Sequence, residues 1–220
     1  MPQVKDYDSL TQAIIDFTHR PNIGTYADYF IQDAEDRIYR TVLAENQGRG
    51  LVWMEATLAA TIDGTTGYAP VPSDYVGLKA AQVTASGGTY DLKMRAAQWI
   101  YARYPIRSAS NPPSFIAREG ANFIFGPFPD GAYPISGTYY QRAPALSSSN
   151  PTTWMTTNIP LTLLAGAMIA AAKFLKDEQM MQGYMQEFTA RITEIIAADK
   201  MQDFGDDLQM SSGNPAPAGW

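Results

Sequence analysis

Apolar residues recur at helical spacing near the N terminus. Leu10, Ile14 and Phe17 share one face of a predicted first helix, which Pro21 ends. Ser9 and Gln12 have the spacing of a capping box at its start. A second helix is predicted from apolar positions three or four residues apart, namely Ala27, Phe30, Ile31, Ala34, Ile38 and Val42. The pattern indicates N-terminal helices over residues 1–48.

The other face of the second predicted helix is charged. It carries Asp33, Glu35, Asp36, Arg37 and Arg40. Asp33 with Arg37, and Asp36 with Arg40, have i,i+4 spacing, and each such pair contributes only a few tenths of a kcal/mol, about 0.2–0.5. We expect this face to be solvated, and ion pairs between subunits are the alternative.

Residues 49–142 show short alternating runs broken by Gly and Pro. The alternation of Val52, Met54, Ala56 and Leu58 is typical of a strand. Hairpins are predicted at Gly87–Gly88 and near Glu119–Gly120, and a short helix is predicted just before Pro105. Many short strands of this kind predict a small antiparallel β domain.

A proline-bearing polar connector opens the segment 143–201. Two helices follow it, one from Pro160 to about Leu175 and a longer one to about residue 201. Trp154 lies within the connector, and we expect it to fill the junction between sheet and helices rather than bind a ligand. Small residues in the first of these helices permit close packing, either within the chain or between subunits: Ala165, Gly166, Ala167, Ala170, Ala171 and Ala172.

Periodicity is lost in the last segment, 202–220. Its Gly, Ser, Pro and Asp content predicts a flexible arm, or one that a partner orders. The fold class expected from the whole pattern is therefore α+β. A helical domain built from both ends of the chain would accompany the central antiparallel β domain and an extended C-terminal arm.

Composition narrows the possible functions. The 220 residues are 45% hydrophobic and carry a net charge of −6, with no Cys and one His. Such a chain can bury a core, but it cannot form disulfides, thiolate metal sites or a two-histidine zinc site. No run of basic residues favours nucleic-acid binding. Residues 161–172 are uncharged but shorter than the roughly 20 residues of a membrane span, and no signal peptide is expected.

Catalytic and cofactor motifs are also missing from the sequence. It has no nucleotide-binding glycine pattern, no HExxH and no EF-hand loop. His19 is expected to be a cation at a helix C terminus. Asp203, Asp206 and Asp207 are expected to be solvated acids of the tail rather than metal ligands. We therefore expect no enzyme activity and no cofactor. A hydrolase remains a distant alternative, which would need a pocket containing carboxylates of displaced pKa.

The connector and the helix after it resemble the head-to-tail adaptor proteins of tailed bacteriophages. The distinctive segment is "TYYQRAPALSSSNPTTWMTTNIPLTLLAGAMIAAAKFLKDE", and the resemblance extends over about residues 7–200. Its matching positions are Tyr139, Tyr140, Pro144, Leu146, Ser147, Asn150, Pro151, Thr152, Trp154, Pro160, Gly166, Ala167, Phe174, Leu175, Asp177 and Glu178. Similar N-terminal positions are Leu10, Phe17, Arg20, Phe30, Ile31, Ala34, Glu35, Arg37, Ile38 and Arg40.

This resemblance implies a structural protein of the virion neck. Copies of the chain, twelve in the family, would form a ring beneath the portal protein and hold a downstream tail or nozzle protein, after assembly in the host cytoplasm. DNA would pass through the channel without specific binding, and no membrane would be involved. The resemblance also implies that the arm binds the portal, through Phe204, Leu208, Met210 and Trp220. The nearest alternative is another neck or tail component, such as a tail tube, nozzle or head-completion protein.

Overall fold

The chain forms two compact units. The computed structural model describes residues 3–85, 87–108 and 111–212, with side chains described as far as residue 202. One unit comprises Met1–Trp53 and Ala143–Trp220, and the other comprises Met54–Arg142. Six α-helices and eight strands lie within the described residues. The predicted α+β class is therefore confirmed.

The helical unit begins with α1 (Tyr7–Thr18) and α2 (Ala27–Glu45), which a 3-10 turn over Pro21–Tyr26 connects. The N-cap of α1 is Asp6, whose carboxylate accepts a hydrogen bond from the Ser9 backbone N–H at 2.9 Å. Ser9 returns the interaction by accepting from the Asp6 N–H at 3.0 Å. The predicted Ser9–Gln12 capping box was wrong, because the helix begins earlier and Asp6 is the better-placed cap.

Three helices follow the connector: α4 (Trp154–Asn158), α5 (Pro160–Leu175) and α6 (Glu178–Ser212). Pro160 occupies the first turn of α5, as expected. Helix α6 has 35 residues and continues beyond the end predicted near residue 201. The prediction of a flexible arm was therefore wrong for residues 202–212: no proline interrupts them, and they continue α6 despite Gly205 and three Asp residues.

Helix α5 packs within the chain. Its residues from Thr162 to Ala172 are all buried. A Cβ atom built on Gly166 would lie 3.0 Å from the Ala34 Cβ, so α5 and α2 approach each other as closely as small side chains allow. The small residues of α5 thus serve packing inside the subunit.

The second unit contains two four-stranded sheets and one helix. The first sheet has the order β1 (Glu55–Ile62), β8 (Tyr133–Gln141), β3 (Tyr75–Ala85), β4 (Gly88–Asp91). The second has the order β2 (Tyr68–Pro70), β7 (Asn122–Gly126), β6 (Phe115–Glu119), β5 (Lys93–Met94). The helix, α3 (Ala97–Arg103), is the short helix that the sequence predicted.

Alternate residues of β6 and β7 face two different cores. Ile116, Phe123 and Phe125 pack with the first sheet, whereas Ala117 and Ile124 pack with α3. The second sheet therefore lies between the first sheet and α3, and α3 covers one face of the unit.

The predicted hairpins are confirmed, but two details of the β unit differ from expectation. Ala85 pairs with Gly88 in one hairpin, and Glu119 pairs with Asn122 in the other. The second sheet is mixed rather than antiparallel, because β5 runs parallel to β6. Residues 95–114, which include α3, separate these two strands, and such a crossover permits parallel pairing. Val52–Met54 forms a 3-10 turn instead of the start of a strand.

Candidate functional site

The connector that follows β8 is hydrogen-bonded to the first two helices. The Ala143 N–H donates to the Tyr39 hydroxyl at 2.8 Å, and the Leu146 N–H donates to Glu35 Oε1 at 3.1 Å. Farther along, the Pro151 carbonyl accepts from the Tyr7 N–H at 2.8 Å. These bonds join segments more than 100 residues apart in the chain. They give the connector one defined course over α1 and α2.

Glu35 was expected on the solvated face of α2, and that expectation was wrong. Its side chain is only 5% exposed. The connector covers it and supplies the Leu146 N–H as a donor, so the buried carboxylate is satisfied by backbone. A buried charged group with such a partner fixes position as well as contributing energy.

The polar residues of the connector close a compact turn. Ser147 and Asn150 exchange backbone hydrogen bonds at 3.0 and 3.1 Å. The Asn150 side-chain amide donates to the carbonyls of Pro144 and Ala145, at 3.0 and 3.1 Å. Ser147 and Asn150 therefore satisfy backbone groups of a segment that belongs to neither a sheet nor a helix.

Trp154 is half-buried and lies in an aromatic cluster of the helical unit. Its ring stacks on Trp53, with centroids 6.2 Å apart, and meets Tyr39 edge to face at 6.1 Å. Its indole N–H donates to the Tyr39 hydroxyl at 3.3 Å. Tyr39 thus binds both the start of the connector and Trp154. The predicted role of Trp154 as a filler of the junction between sheet and helices stays a prediction.

The connector ends at Thr153, shortly after its contact with α1. Thr153 is the N-cap of α4, and its capping box pairs it with Thr156, whose hydroxyl accepts from the Thr153 N–H at 2.9 Å. Tyr39, Trp53 and Glu35 were not recognised as partners of the connector from the sequence. Only a long-range contact reveals them, since each stands far from the connector in the chain.

Of the two ion pairs predicted on α2, one forms between the side chains, and in the other the arginine binds a backbone carbonyl. Arg37 binds Asp33 at 2.9 Å, with both side chains partly exposed. Arg40 instead donates from Nε to the backbone carbonyl of Asp36 at 3.1 Å. Their predicted role between subunits stays a prediction. Of the predicted arm residues, Phe204, Leu208 and Met210 have side chains outside the described part, and Trp220 lies beyond it altogether.

A groove of about 830 Å³ opens between α1 and the first turns of α5. Its walls are mostly apolar, and Phe17 and Leu161 stand there 45% and 49% exposed. Asp16 and His19 lie at its margin. His19 is the C-cap residue of α1, at the position expected for it.

Two carboxyl groups, one at a helix cap and one at a turn, have lowered pKa values. Hydrogen bonds from the Ser9 side chain and backbone lower the pKa of Asp6. Backbone hydrogen bonds from Thr65 and Thr66 lower the pKa of Asp63. A catalytic acid would require a raised pKa instead.

Within residues 3–85, 87–108 and 111–202, whose side chains the structure describes, no three acidic or histidine side chains are grouped to hold a metal ion. Asp203, Asp206 and Asp207 have side chains outside the described part. Of the helices that the structure describes, none is both long and apolar enough to span a membrane.

Comparison with known proteins identifies a family but no individual relative. No curated protein matches the chain. A family model described as "SU10 adaptor protein" matches residues 5–214, which include nearly all of both units, the connector and the whole of α6. The match covers far more than half of the sequence, and so the chain belongs to the SU10 adaptor protein family.

Proposed function

We propose that this chain is the head-to-tail adaptor of a tailed bacteriophage. Twelve copies form a ring beneath the portal protein, connect the capsid to a tail or nozzle protein, and continue the channel through which DNA leaves. The protein is a component of the virion neck, assembled in the host cytoplasm, and acts without catalysis or cofactor. The family match supports an adaptor role in a phage particle.

The observation that carries the proposal is the fixed course of the connector. Buried Glu35 and the Tyr39 hydroxyl hold its backbone against α2. A closed ring needs the same subunit surface in every copy, because small errors in each contact accumulate around the ring. A connector bound at several points provides that reproducibility, whereas a flexible linker would not.

Charge is consistent with a channel that DNA must traverse. The chain has a net charge of −6, so an acidic ring would not retain the DNA backbone. DNA would then pass without specific binding. Pairs such as Asp33–Arg37 on α2 remain candidates for contacts between neighbouring subunits.

The test is assembly with and without the portal. In dilute solution, light scattering of the purified chain should give a monomer, because each chain has its own buried cores. On heads that carry the cognate portal, electron-microscopy class averages should show a ring of twelve. A stable compact dimer in solution, with no ring on the portal, would refute the proposal.

The portal contact is assigned to the arm, residues 202–220. Deleting it should leave the melting temperature nearly unchanged, because the helix contact of Asp199 with the Val52 N–H, at 2.9 Å, lies before the cut. Attachment to portal-bearing heads should be lost. Trp220→Ala is the matched point variant and should weaken attachment without truncation. Retention of the truncated protein through a salt wash would place the contact on the helices.

Binding to a tail component but not to the portal would favour the alternative neck or tail role. In that case the purified chain should decorate isolated tails and leave portal-bearing heads bare. The two mixtures, examined side by side, separate the two functions.

A further inference from the structure

Charge is distributed unevenly between the two units. The β unit, residues 54–142, contains seven Lys or Arg and six Asp or Glu, so it is slightly basic. The helical unit contains nine Lys or Arg and sixteen Asp or Glu, so its net charge is −7, whereas that of the β unit is +1. Opposite surfaces of this kind attract when two copies meet.

The basic residues of the β unit concentrate around α3. Residues 93–107 contain four Lys or Arg and no acidic residue. Arg95 lies over the rings of Trp99 and Phe115, at 5.5 and 5.9 Å, and Arg103 lies over Tyr104 at 5.5 Å. Stacking on rings holds the guanidinium groups in place while they remain exposed.

Apolar side chains of α3 and of the segment just after it are exposed as well. Trp99 is 38% exposed and Ile106 is 77% exposed. The α3 face is defined here by Arg95, Trp99, Arg103 and Ile106. Trp and Arg are enriched at protein-binding surfaces and among the residues that dominate their binding energy.

The groove beside α1 has the complementary properties. Residues 6–18 contain three acids and, between Lys5 and Arg20, no Lys or Arg, and Asp8 and Asp16 are both exposed on α1. Asp16 is the acidic residue among the described residues that line the groove, and the walls around Asp16 are mostly apolar. The α1 groove is defined here by Ala13, Asp16, Phe17, Leu161 and Leu164. Its volume of about 830 Å³ is ample for an indole ring and a neighbouring aliphatic side chain.

We propose that the α3 face of one copy docks into the α1 groove of a second copy. Trp99 and Ile106 enter the apolar groove, and Arg95 and Arg103 pair with Asp16 in its wall and with Asp8, which is exposed on the same helix. The two surfaces lie on different units and differ from each other, so the contact is heterologous and can repeat from copy to copy. Repetition of this contact around a ring rests on the function proposed above. The contact between two copies does not, because it can form in the free protein.

The experiment measures self-association of the full chain without portal. Sedimentation velocity is recorded from dilute protein up to about 1 mM, where contacts with millimolar Kd become visible. The wild type should associate at high concentration, and less so when salt rises from about 50 mM to about 500 mM. Arg95→Glu with Arg103→Glu should abolish the association. Circular dichroism confirms that each variant is folded.

Arg118→Glu is the matched control. Arg118 also lies exposed over a ring, Tyr75, at 5.0 Å, but on β6 it alternates with Phe115 and Ala117 and so faces away from α3. One such substitution should leave self-association within about twofold of the wild type. Arg103→Glu alone, which makes the same charge change on the α3 face, should weaken it about tenfold.

A charge exchange identifies the partner surface. Asp8→Lys with Asp16→Lys should abolish self-association on its own. Mixing this variant with the Arg95→Glu, Arg103→Glu variant should restore association between the two, because a glutamate face then meets a lysine groove. A folded mixture that stays monomeric overturns the assignment of the groove.

Other results also decide the matter. A wild type that stays monomeric at about 1 mM and low salt overturns the contact. Loss of labelled duplex DNA binding in the arginine variant, with no self-association of the wild type, assigns the α3 face to nucleic acid and overturns it as well. Self-association through this face combined with no retention on portal-bearing heads refutes the proposed function and leaves the contact standing.

Discussion

Removal of the Trp154 ring tests the aromatic cluster that holds the connector's end. A fully buried Trp replaced by Ala costs about 3–5 kcal/mol. Trp154 is half-buried, so only part of that loss applies. It also makes two ring contacts, with Trp53 and Tyr39, each contributing about 0.5–1.5 kcal/mol. We expect Trp154→Ala to lower the free energy of unfolding by about 2–3 kcal/mol.

Urea unfolding followed by far-ultraviolet circular dichroism gives this value, provided that the denaturant slope stays unchanged. Trp154→Phe is the control, since it keeps a ring on Trp53 and loses the indole N–H bond to Tyr39. It should cost about 1 kcal/mol. A double-mutant cycle with Trp53→Ala should give a coupling of about 0.5–1.5 kcal/mol.

Two results would refute this reasoning. A loss below about 0.5 kcal/mol would mean that Trp154 behaves as an ordinary surface residue. Zero coupling with Trp53 would mean that the stacked rings do not stabilise each other. If stability is unchanged but portal attachment weakens, Trp154 is a partner contact instead.

Three further changes test separate parts of the fold. Glu35→Ala leaves the buried Leu146 N–H without its acceptor and should cost about 2–4 kcal/mol in urea unfolding, whereas Glu35→Gln, which keeps an acceptor oxygen, should cost about half of that. Tyr139→Phe removes the hydroxyl that donates to Asp74 at 2.9 Å and should cost about 1 kcal/mol near neutral pH. Burial, and then the hydrogen bond to Asp74, raise the pKa of Tyr139 above its ordinary 10.0. The hydroxyl therefore stabilises the fold fully below pH 10.0, and this stabilisation is lost as the pH rises through the folded-state pKa. The melting temperature should consequently fall more steeply with alkaline pH in the wild type than in the Phe variant. Gly137→Ala would drive a Cβ into a carbonyl oxygen of β3 and should cost at least about 2 kcal/mol; a melt unchanged from the wild type would contradict the close approach of β8 to β3.

Local patterns in the sequence were sufficient to predict most of the helices and the two hairpins, but not α4, which begins within the predicted connector. Spacing of three and four residues identified α1 and α2, because each of them buries one face along its own length. Helix α5, which is buried on all sides from Thr162 to Ala172, was identified by Pro160 at its start and by the uncharged run of residues 161–172. The Gly87–Gly88 pair identified a hairpin, because a tight turn favours glycine at a positive φ, which Gly87 has. These features depend on neighbours a few residues away.

Features that depend on distant residues could not be predicted in this way. Glu35 belongs to a charged sequence pattern, and it is buried only because a segment 111 residues later covers it. The partner of Trp154, Trp53, stands about as far away, and nothing near either residue indicates the pairing. The groove beside α1 exists only because α5 packs next to it. A parallel pair formed by two-residue β5 has no local signature either.

The number of residues in α6 after Asp199 determines both the position and the rotational orientation of the end of the helix. Asp199 fixes its rotation by binding the Val52 N–H, and the helix then continues 13 residues to Ser212, about 20 Å at 1.5 Å per residue. Each residue also turns the helix by about 100°. Inserting one residue after Asp199 would move the end of α6 by less than a hydrogen-bond length but rotate it by more than a quarter turn, whereas seven residues would lengthen it by about 10 Å and nearly restore its angle. The direction in which the end of α6 faces therefore depends on how many residues follow Asp199. An insertion of seven residues, which nearly restores that direction, should be tolerated better than an insertion of one.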